Sequence, residues 1–342
     1  MRVAVDAMGG DNAPEPIVLG AIEGARRYNV EVILVGDESL IRPLLRADMD
    51  GSLRSRISVE HTDDFIRMDE SGLQVLKRPG SSMSRTALLV KEGRADAALS
   101  MGNTGAAMAA GASFLQCIEG VRRPAIGLPL PTIEGKPCLL VDAGATADCT
   151  PQMLLQFAHM GDRYASAVLG ATTPRIGLIS NGSEKGKGNK LYKDTYRLLA
   201  SSGLNFVGNC EPNAIVHSEV DVGVCDGFVG NLVLKALEGF SDFYREALSR
   251  AFRANAWTRL AGVFARPVLR RVSKSTNYDA YGGAALLGVQ GILIVGHGRS
   301  NHVAVANAIG VARETHDKRV VESIREAAAG FADVTAENGY SS

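Results

Sequence analysis

Residues 97–112 read AALSMGNTGAAMAAGA, and the order of residue types in this stretch decides the fold. Three apolar residues and a serine predict a short strand, a glycine-bearing turn follows at 101–105, and a run of helix-forming residues comes next. Because the strand is apolar without alternation, helices are expected on both faces of its sheet. A strand, a glycine turn and a helix in this order predict one unit of a parallel α/β sheet.

The same pattern recurs along the chain. Strands are predicted at 3–6, 32–35, 97–100, 139–142, 176–180 and 220–225. These elements predict a three-layer α/β fold with a mostly parallel sheet. From the length of 342 residues we expect a single two-lobed unit over 1–330, followed by a tail at 331–342.

The composition is that of a globular protein, with 46% hydrophobic and 22% charged residues. Basic and acidic residues balance at 37 each, so the chain as a whole has no general attraction for nucleic acid. No apolar run reaches the ~20 residues that span a bilayer, and residues 1–6 read as a strand rather than a signal peptide. We therefore expect a cytoplasmic protein.

The cysteines and histidines give no pattern typical of a metal site. The five cysteines are scattered without a C-x-x-C pair, and His297 and His302 lie five residues apart. We predict no metal and no cofactor. Cys149 and Cys225 adjoin polar loops and could be acyl-accepting nucleophiles, but buried strand cysteines are the commoner explanation.

Ligands in parallel α/β sheets bind beyond the carboxyl ends of the strands, so the loops after the strands are candidate sites. Such loops occur at 6–12, 100–105, 142–145, 181–189 and 226–231, and we expect them at one edge of the sheet. The candidate residues in these loops are Asp6, Gly9, Gly10, Asn103, Thr104, Glu184, Lys185, Lys187, Asn189, Asp226 and Asn231. Glycine-rich turns before helices predict phosphate binding.

Two of these loops have simpler explanations that stay open. The loop at 181–189 carries Lys185 and Lys187 among glycines but lacks the Walker spacing, which disfavours a nucleotide triphosphatase. It could be a solvated charged turn. Asp226 could simply cap the helix that follows it.

Taken in order, the motifs resemble the PlsX phosphate acyltransferase family from residue 1 to about 330. The motifs are DAMGGD at 6–11, GSSM at 80–83, GNTGA at 102–106, Glu184 with KGN at 187–189, CDGF at 225–228, GN at 230–231 and YGGA at 281–284. The resemblance implies transfer of a fatty acyl group from acyl-[acyl-carrier-protein] to inorganic phosphate, in a homodimer. It also implies a fold similar to isocitrate and isopropylmalate dehydrogenases.

Under this resemblance, the enzyme's main tasks are positioning and charge stabilisation, because phosphate is already largely dianionic at neutral pH. Lys185 and Lys187 would offset the phosphate charge, and Asn103, Asn189 and Asn231 would donate to phosphate or to the forming oxyanion. Asp226 would orient a lysine. Alternatives are a short-chain acyl-CoA donor, a dehydrogenase of similar fold and a non-catalytic membrane-associated scaffold.

The segment 250–274 differs from the rest of the chain. Its basic residues are Arg250, Arg253, Arg259, Arg266, Arg270, Arg271 and Lys274, and no acid lies between Glu246 and Asp279. Trp257, Leu260 and Phe264 share one helix face. We predict a basic amphipathic hairpin, broken at Pro267, that contacts a membrane surface or the carrier protein through Trp257, Leu260, Phe264, Arg270 and Arg271.

Overall fold

The computed structural model describes residues 1–45, 51–276 and 282–331. Its strands are β1 (Arg2–Asp6), β2 (Glu31–Gly36), β3 (Ile57–His61), β4 (Ala97–Ser100), β5 (Ala125–Leu130), β6 (Cys138–Val141), β7 (Ile176–Ile179), β8 (Phe206–Cys210), β9 (Val222–Val224), β10 (Ala284–Leu287) and β11 (Ile292–Val295). Its α-helices are α1 (Glu15–Tyr28), α2 (Glu38–Ile41), α3 (Gly51–Arg54), α4 (Gln74–Lys77), α5 (Ser82–Lys91), α6 (Thr104–Ala110), α7 (Pro151–Ala167), α8 (Lys190–Ala200), α9 (Asn213–Val216), α10 (Gly227–Arg253), α11 (Ala256–Thr276), α12 (His302–Asp317) and α13 (Val320–Ala328).

The strands form one sheet in the order β3-β2-β1-β4-β11-β10-β5-β6-β9-β7-β8. Pairing is parallel within each half, from β3 to β11 and from β6 to β8. Where the halves meet, β11–β10, β10–β5 and β5–β6 are antiparallel. Three reversals leave the second half running opposite to the first.

This reversal corrects one expectation. We use edge for the row of strand ends along one side of the sheet. The loops after β1, β4 and β11 lie at one such edge, called the first edge. The loops after β6, β7 and β9 lie at the opposite one, called the second edge. The prediction that all five candidate loops share one edge is therefore wrong, because antiparallel pairing in the middle of the sheet carries no signal in the individual strands.

Apolar side chains pack on both faces of the sheet. In β4, Ala97 and Leu99 join a buried cluster with residues of α1, α7 and α12, while Ala98 joins a second cluster with residues of α5 and α6. The alternation places one helix layer on each face. The predicted three-layer, mostly parallel α/β fold is confirmed, and its core includes both faces of the strands.

Helices α10 and α11 pack against each other as a hairpin. The turn lies at 254–255, where the Asn255 side chain accepts a hydrogen bond from Thr258 N at 3.0 Å. Pro267 lies inside α11, so the predicted break there is wrong. The break is set by the Asn255 cap, and α11 continues through Pro267. Among the described residues, no helix is long and apolar enough to cross a bilayer. The predicted tail beyond Phe331 falls outside the described residues.

Candidate active site

A cleft of about 730 Å³ lies on the sheet face that α5 and α6 cover, between α6 and α10. Its middle is apolar, with Ile126 and Leu128 of β5 and Ala284 of β10 in the floor and Met108 and Leu234 in the walls. A volume of this size is typical of small-molecule sites. The central part of the cleft can therefore hold an apolar group.

Helix α10 connects the two edges of the sheet along this cleft. Asn231, Leu234, Lys235 and Glu238 line it at i, i+3, i+4 and i+7, so they share one helix face. At 1.5 Å per residue, Asn231 and Glu238 are about 10 Å apart along the axis. A ligand in the cleft can thus contact polar groups from both edges.

At the first edge, Asp6 organises the loop after β1. It is 2% exposed, and its Oδ2 accepts a hydrogen bond from Ser100 Oγ at 2.7 Å. Burial raises the pKa of Asp6, while hydrogen bonds from Ser82 and Ser100 act in the opposite direction. A Cβ on Gly9 would come within 2.8 Å of Ser100 Oγ, so this close approach requires glycine. The Gly9–Gly10 loop is held against β4 but does not line the cleft.

Asn103 and Thr104 begin α6 at the same edge. Asn103 Oδ1 accepts from Ala106 N at 3.0 Å, and its amide donates to the carbonyl oxygens of Met68 and Glu70 at 3.3 and 2.8 Å. These contacts hold the 68–70 segment beside the cleft. Thr104 is exposed and lines the cleft itself.

At the second edge, Asp142 organises the 143–146 loop in the cleft wall. Its Oδ1 accepts from the backbone N–H groups of Ile126, Gly144 and Ala145 at 2.9, 3.1 and 2.9 Å, and its Oδ2 accepts from Thr146 N at 2.7 Å. Burial raises the pKa of Asp142, and these four donors act in the opposite direction. The loop amides are thus already occupied by this carboxylate, so they are not an anion site.

Asp226 caps α10 at this edge. Its Oδ1 accepts from Val229 N at 2.9 Å, and its Oδ2 accepts from the hydroxyl of Tyr192 at 2.7 Å. These are the contacts of a helix cap, so the orientation of a lysine by Asp226 stays a prediction. One turn later, a Cβ on Gly230 would overlap the carbonyl oxygen of Asp142, which explains why glycine stands there. Asn231 follows, exposed in the cleft.

The lysine-bearing loop at 181–189 lies at the second edge but does not line the cleft. Lys187 Nζ is 3.8 Å from Glu184 Oε1, and Lys185 Nζ lies 5.8 Å from the centre of the Tyr196 ring. Asn189 caps α8 by accepting from Tyr192 N at 3.2 Å. Since Tyr192 also contacts Asp226, the loop is joined to the start of α10 through one side chain.

Neither candidate cysteine has the surroundings of a nucleophile. Cys149 is half-buried, and burial raises the pKa of its thiol to about 12. Cys225 is fully buried, and burial again raises its thiol pKa well above the usual value. A nucleophilic cysteine needs a depressed thiol pKa. Neither thiol therefore has the lowered pKa that a cysteine nucleophile needs.

Of the predicted residues, the structure places only Thr104 and Asn231 in the cleft lining. Four charged or titratable cleft residues were missed: Arg123, Lys235, Glu238 and His297. For His297 a signal existed, since it follows the apolar run Ile292–Val295, which is a strand whose end reaches the first edge. Arg123 and Lys235 have no such local signal. Within the described ranges, no group of three or more His, Cys, Asp or Glu side chains could hold a metal ion.

Comparisons with known proteins agree with this architecture. The sequence profile of a family described as fatty acid synthesis protein matches residues 1–323. A protein named phosphate acyltransferase from Desulfitobacterium hafniense is 44% identical over 328 residues, covering 95% of this chain and 97% of the relative.

Two solved structures share the fold at low sequence identity. The EutD phosphotransacetylase from Staphylococcus aureus matches with a TM-score of 0.58 and 15% identity, covering 92% of this chain and 94% of that one. A 4-hydroxythreonine-4-phosphate dehydrogenase from Klebsiella pneumoniae matches with a TM-score of 0.54 and 16% identity, covering 92% and 99%. The expected dehydrogenase-like fold is therefore confirmed.

Proposed function

The chain belongs to the fatty acid synthesis protein family and is a phosphate acyltransferase. We propose that it transfers a fatty acyl group from acyl-[acyl-carrier-protein] to inorganic phosphate. The product would be an acyl phosphate for phospholipid synthesis. The observation that carries this proposal is the cleft, whose apolar middle lies between polar groups at both sheet edges.

In the proposed reaction, a phosphate oxygen attacks the thioester carbonyl carbon, the C–O bond forms and the C–S bond breaks. The departing thiolate then takes a proton from a side chain or from water. Phosphate needs no general base at neutral pH, so the protein's contribution is positioning and stabilisation of developing charge. Neither candidate cysteine is an activated nucleophile, which fits this requirement.

Asn231 is the best-placed group for the forming oxyanion. Its side chain lies in the cleft without a hydrogen-bond partner among the described residues, so its amide can donate to a substrate oxygen. Thr104 can donate from the opposite wall. Lys187 lies at the second edge, outside the cleft lining, and is proposed to offset phosphate charge as substrates approach from that edge; its loop is joined to Asp226 through Tyr192.

The decisive experiment supplies purified protein with labelled inorganic phosphate and either long-chain acyl-[acyl-carrier-protein] or a short-chain acyl-CoA. We expect labelled acyl phosphate from the carrier-protein donor. Product from the short-chain CoA donor alone would contradict the proposed donor while leaving the reaction class intact. No acyl phosphate from either donor would favour a non-catalytic scaffold.

We also propose that the α10–α11 hairpin contacts a membrane surface. Trp257 is 81% exposed and Phe264 is 77% exposed, and Leu260 lies on the same face. Each basic residue near an anionic surface contributes ~1 kcal/mol, so three engaged residues would give salt-sensitive binding. Arg270 and Arg271 lie in α11, but their side chains fall outside the described residues.

Two double variants separate membrane contact from carrier-protein contact. The double variant Trp257→Ala with Phe264→Ala should weaken sedimentation with anionic vesicles while turnover with the carrier-protein donor is retained. The double variant Arg270→Glu with Arg271→Glu should raise the KM for the carrier protein if that partner docks here. Unchanged vesicle binding and unchanged KM in both would leave the hairpin as a packing element.

The last partner that we propose is a second copy of the chain, in a homodimer. The outer face of α10 exposes Phe240 and Phe243 at 66% and 67%, and their ring centres lie 6.4 Å apart. Contiguous exposed apolar patches often mark a surface that packs on another protein. Light scattering after size-exclusion chromatography should give twice the mass of one chain. A monomeric mass at micromolar concentration would contradict the dimer.

A further inference from the structure

Three charged or titratable side chains meet at the first-edge end of the cleft, and we call Lys235, Glu238 and His297 the His297 cluster. Lys235 Nζ lies 2.8 Å from Glu238 Oε2 and 3.4 Å from His297 Nε2, while His297 Nε2 lies 3.9 Å from Glu238 Oε2. Lys235 and Glu238 come from α10, and His297 follows β11. The cluster therefore joins the two halves of the sheet across the cleft.

The tautomer of His297 follows from its second contact. The backbone N–H of Arg299 donates to His297 Nδ1 at 3.2 Å. A backbone amide can only donate, so Nδ1 carries the lone pair and the hydrogen of the neutral ring is on Nε2. The Nε2–H group and the Lys235 ammonium are then both donors, and they cannot bond to each other.

The cluster consequently has more donors than acceptors. Lys235 carries three N–H groups and gives one to Glu238, while Glu238 Oε2 is too far from His297 Nε2 for a hydrogen bond. No other acceptor among the described residues contacts either donor. Glu238 is only 14% exposed, whereas Lys235 and His297 are 53% and 37% exposed. The unused donors are thus open to the cleft.

We propose that the His297 cluster binds a phosphate group, whose oxygens accept hydrogen bonds from Lys235 Nζ and His297 Nε2. Glu238 is a positioning residue that holds the lysine. A phosphate group suits this place because it offers several charged acceptor oxygens to converging donors. The inference rests on the proposed function, since the phosphate is either the inorganic substrate or the ester of the donor's phosphopantetheine arm.

The position of this site fits the proposed chemistry. Asn231 lies one helical turn before Lys235 on the same face of α10, which is about 6 Å along the axis. If the bound group is inorganic phosphate, it would stand next to a carbonyl whose oxygen faces Asn231. The apolar floor formed by Ile126 and Leu128 would then receive the acyl chain.

The test measures phosphate binding directly and as a kinetic constant. In His297→Ala and Lys235→Met, the calorimetric Kd for inorganic phosphate and its KM should each rise about tenfold, equivalent to ~1.4 kcal/mol. Lys235→Arg should restore most of the loss, because it keeps the charge and the donors. His217→Ala and Lys91→Met are matched controls, since both side chains are exposed and lie outside the cleft.

Two donors separate the sources of the phosphate group. One outcome is that the variants leave the binding of inorganic phosphate unchanged and raise the KM for an acyl-phosphopantetheine. If the KM for the same acyl-pantetheine, which lacks the phosphate, then stays the same, the cluster binds the ester phosphate. If none of these constants changes, the inference is wrong. Wild-type protein that binds phosphate but forms no acyl phosphate would instead overturn the proposed function and leave the phosphate site standing.

Discussion

Replacing Asp142 by alanine should destabilise the fold and lower turnover together. The Asp142 carboxylate is the common acceptor for four backbone N–H groups, from Ile126, Gly144, Ala145 and Thr146. Alanine leaves all four N–H groups without this acceptor at once. The loop that they hold lines the cleft, so its displacement should alter the site as well as the stability.

The magnitude follows from the number and burial of these donors. A buried donor left without a partner costs ~1–3 kcal/mol. The amide of Ile126 is deeply buried, whereas water can reach Gly144 and its neighbours after the change. We therefore expect a loss of about 3–5 kcal/mol in the free energy of unfolding for Asp142→Ala, at the large end for a single substitution.

Asparagine provides a graded comparison at the same position. Its carbonyl oxygen can keep the three bonds that Asp142 Oδ1 makes, while its amide group would face Thr146 N–H, donor against donor. We expect a loss of about 1 to 2 kcal/mol for Asp142→Asn. Asp148→Ala is the matched control, because this neighbouring carboxylate is exposed.

Urea unfolding followed by circular dichroism at 222 nm measures these differences, and acyl phosphate formation measures turnover. The order of stability should be wild type and Asp148→Ala, then Asp142→Asn, then Asp142→Ala. Equal stability of the two Asp142 variants would refute the idea that individual backbone donors set the loss. A stable Asp142→Ala protein with normal turnover would refute the role of this carboxylate in holding the loop.

Two further predictions concern the chemistry. Asn231→Ala and Lys187→Ala should each lower turnover tenfold or more, which is on the order of 1.4 kcal/mol in the activation barrier. The circular dichroism spectrum of both variants should be unchanged. Near-normal turnover in both would remove the two residues from the site. Cys149→Ala and Cys225→Ala should retain most of the activity, because burial raises the pKa of both thiols and so disfavours the nucleophilic thiolate. Mass-spectrometric detection of an acyl-cysteine on the wild-type enzyme would contradict direct attack by phosphate.

The parts of the fold that depend on neighbouring residues in the chain could be read from the sequence. Predicted strands at 97–100 and 176–180 lie at or within one residue of β4 and β7, since apolar runs bounded by glycine turns are local signals. The capping alternative for Asp226 has the same origin, because a cap needs only the three residues that follow it. Within the candidate site, this local information was sufficient to select Thr104 and Asn231.

The arrangement of the cleft depends on tertiary pairing. Whether a strand points to the first or the second edge is decided by its neighbour in the sheet, and the three antiparallel pairs around β10 and β5 leave no trace in the strand sequences. The contact between Lys235 and His297 joins residues 62 positions apart. Each residue alone reads as an exposed polar side chain, and only the course of α10 across the sheet brings their donors to the same point.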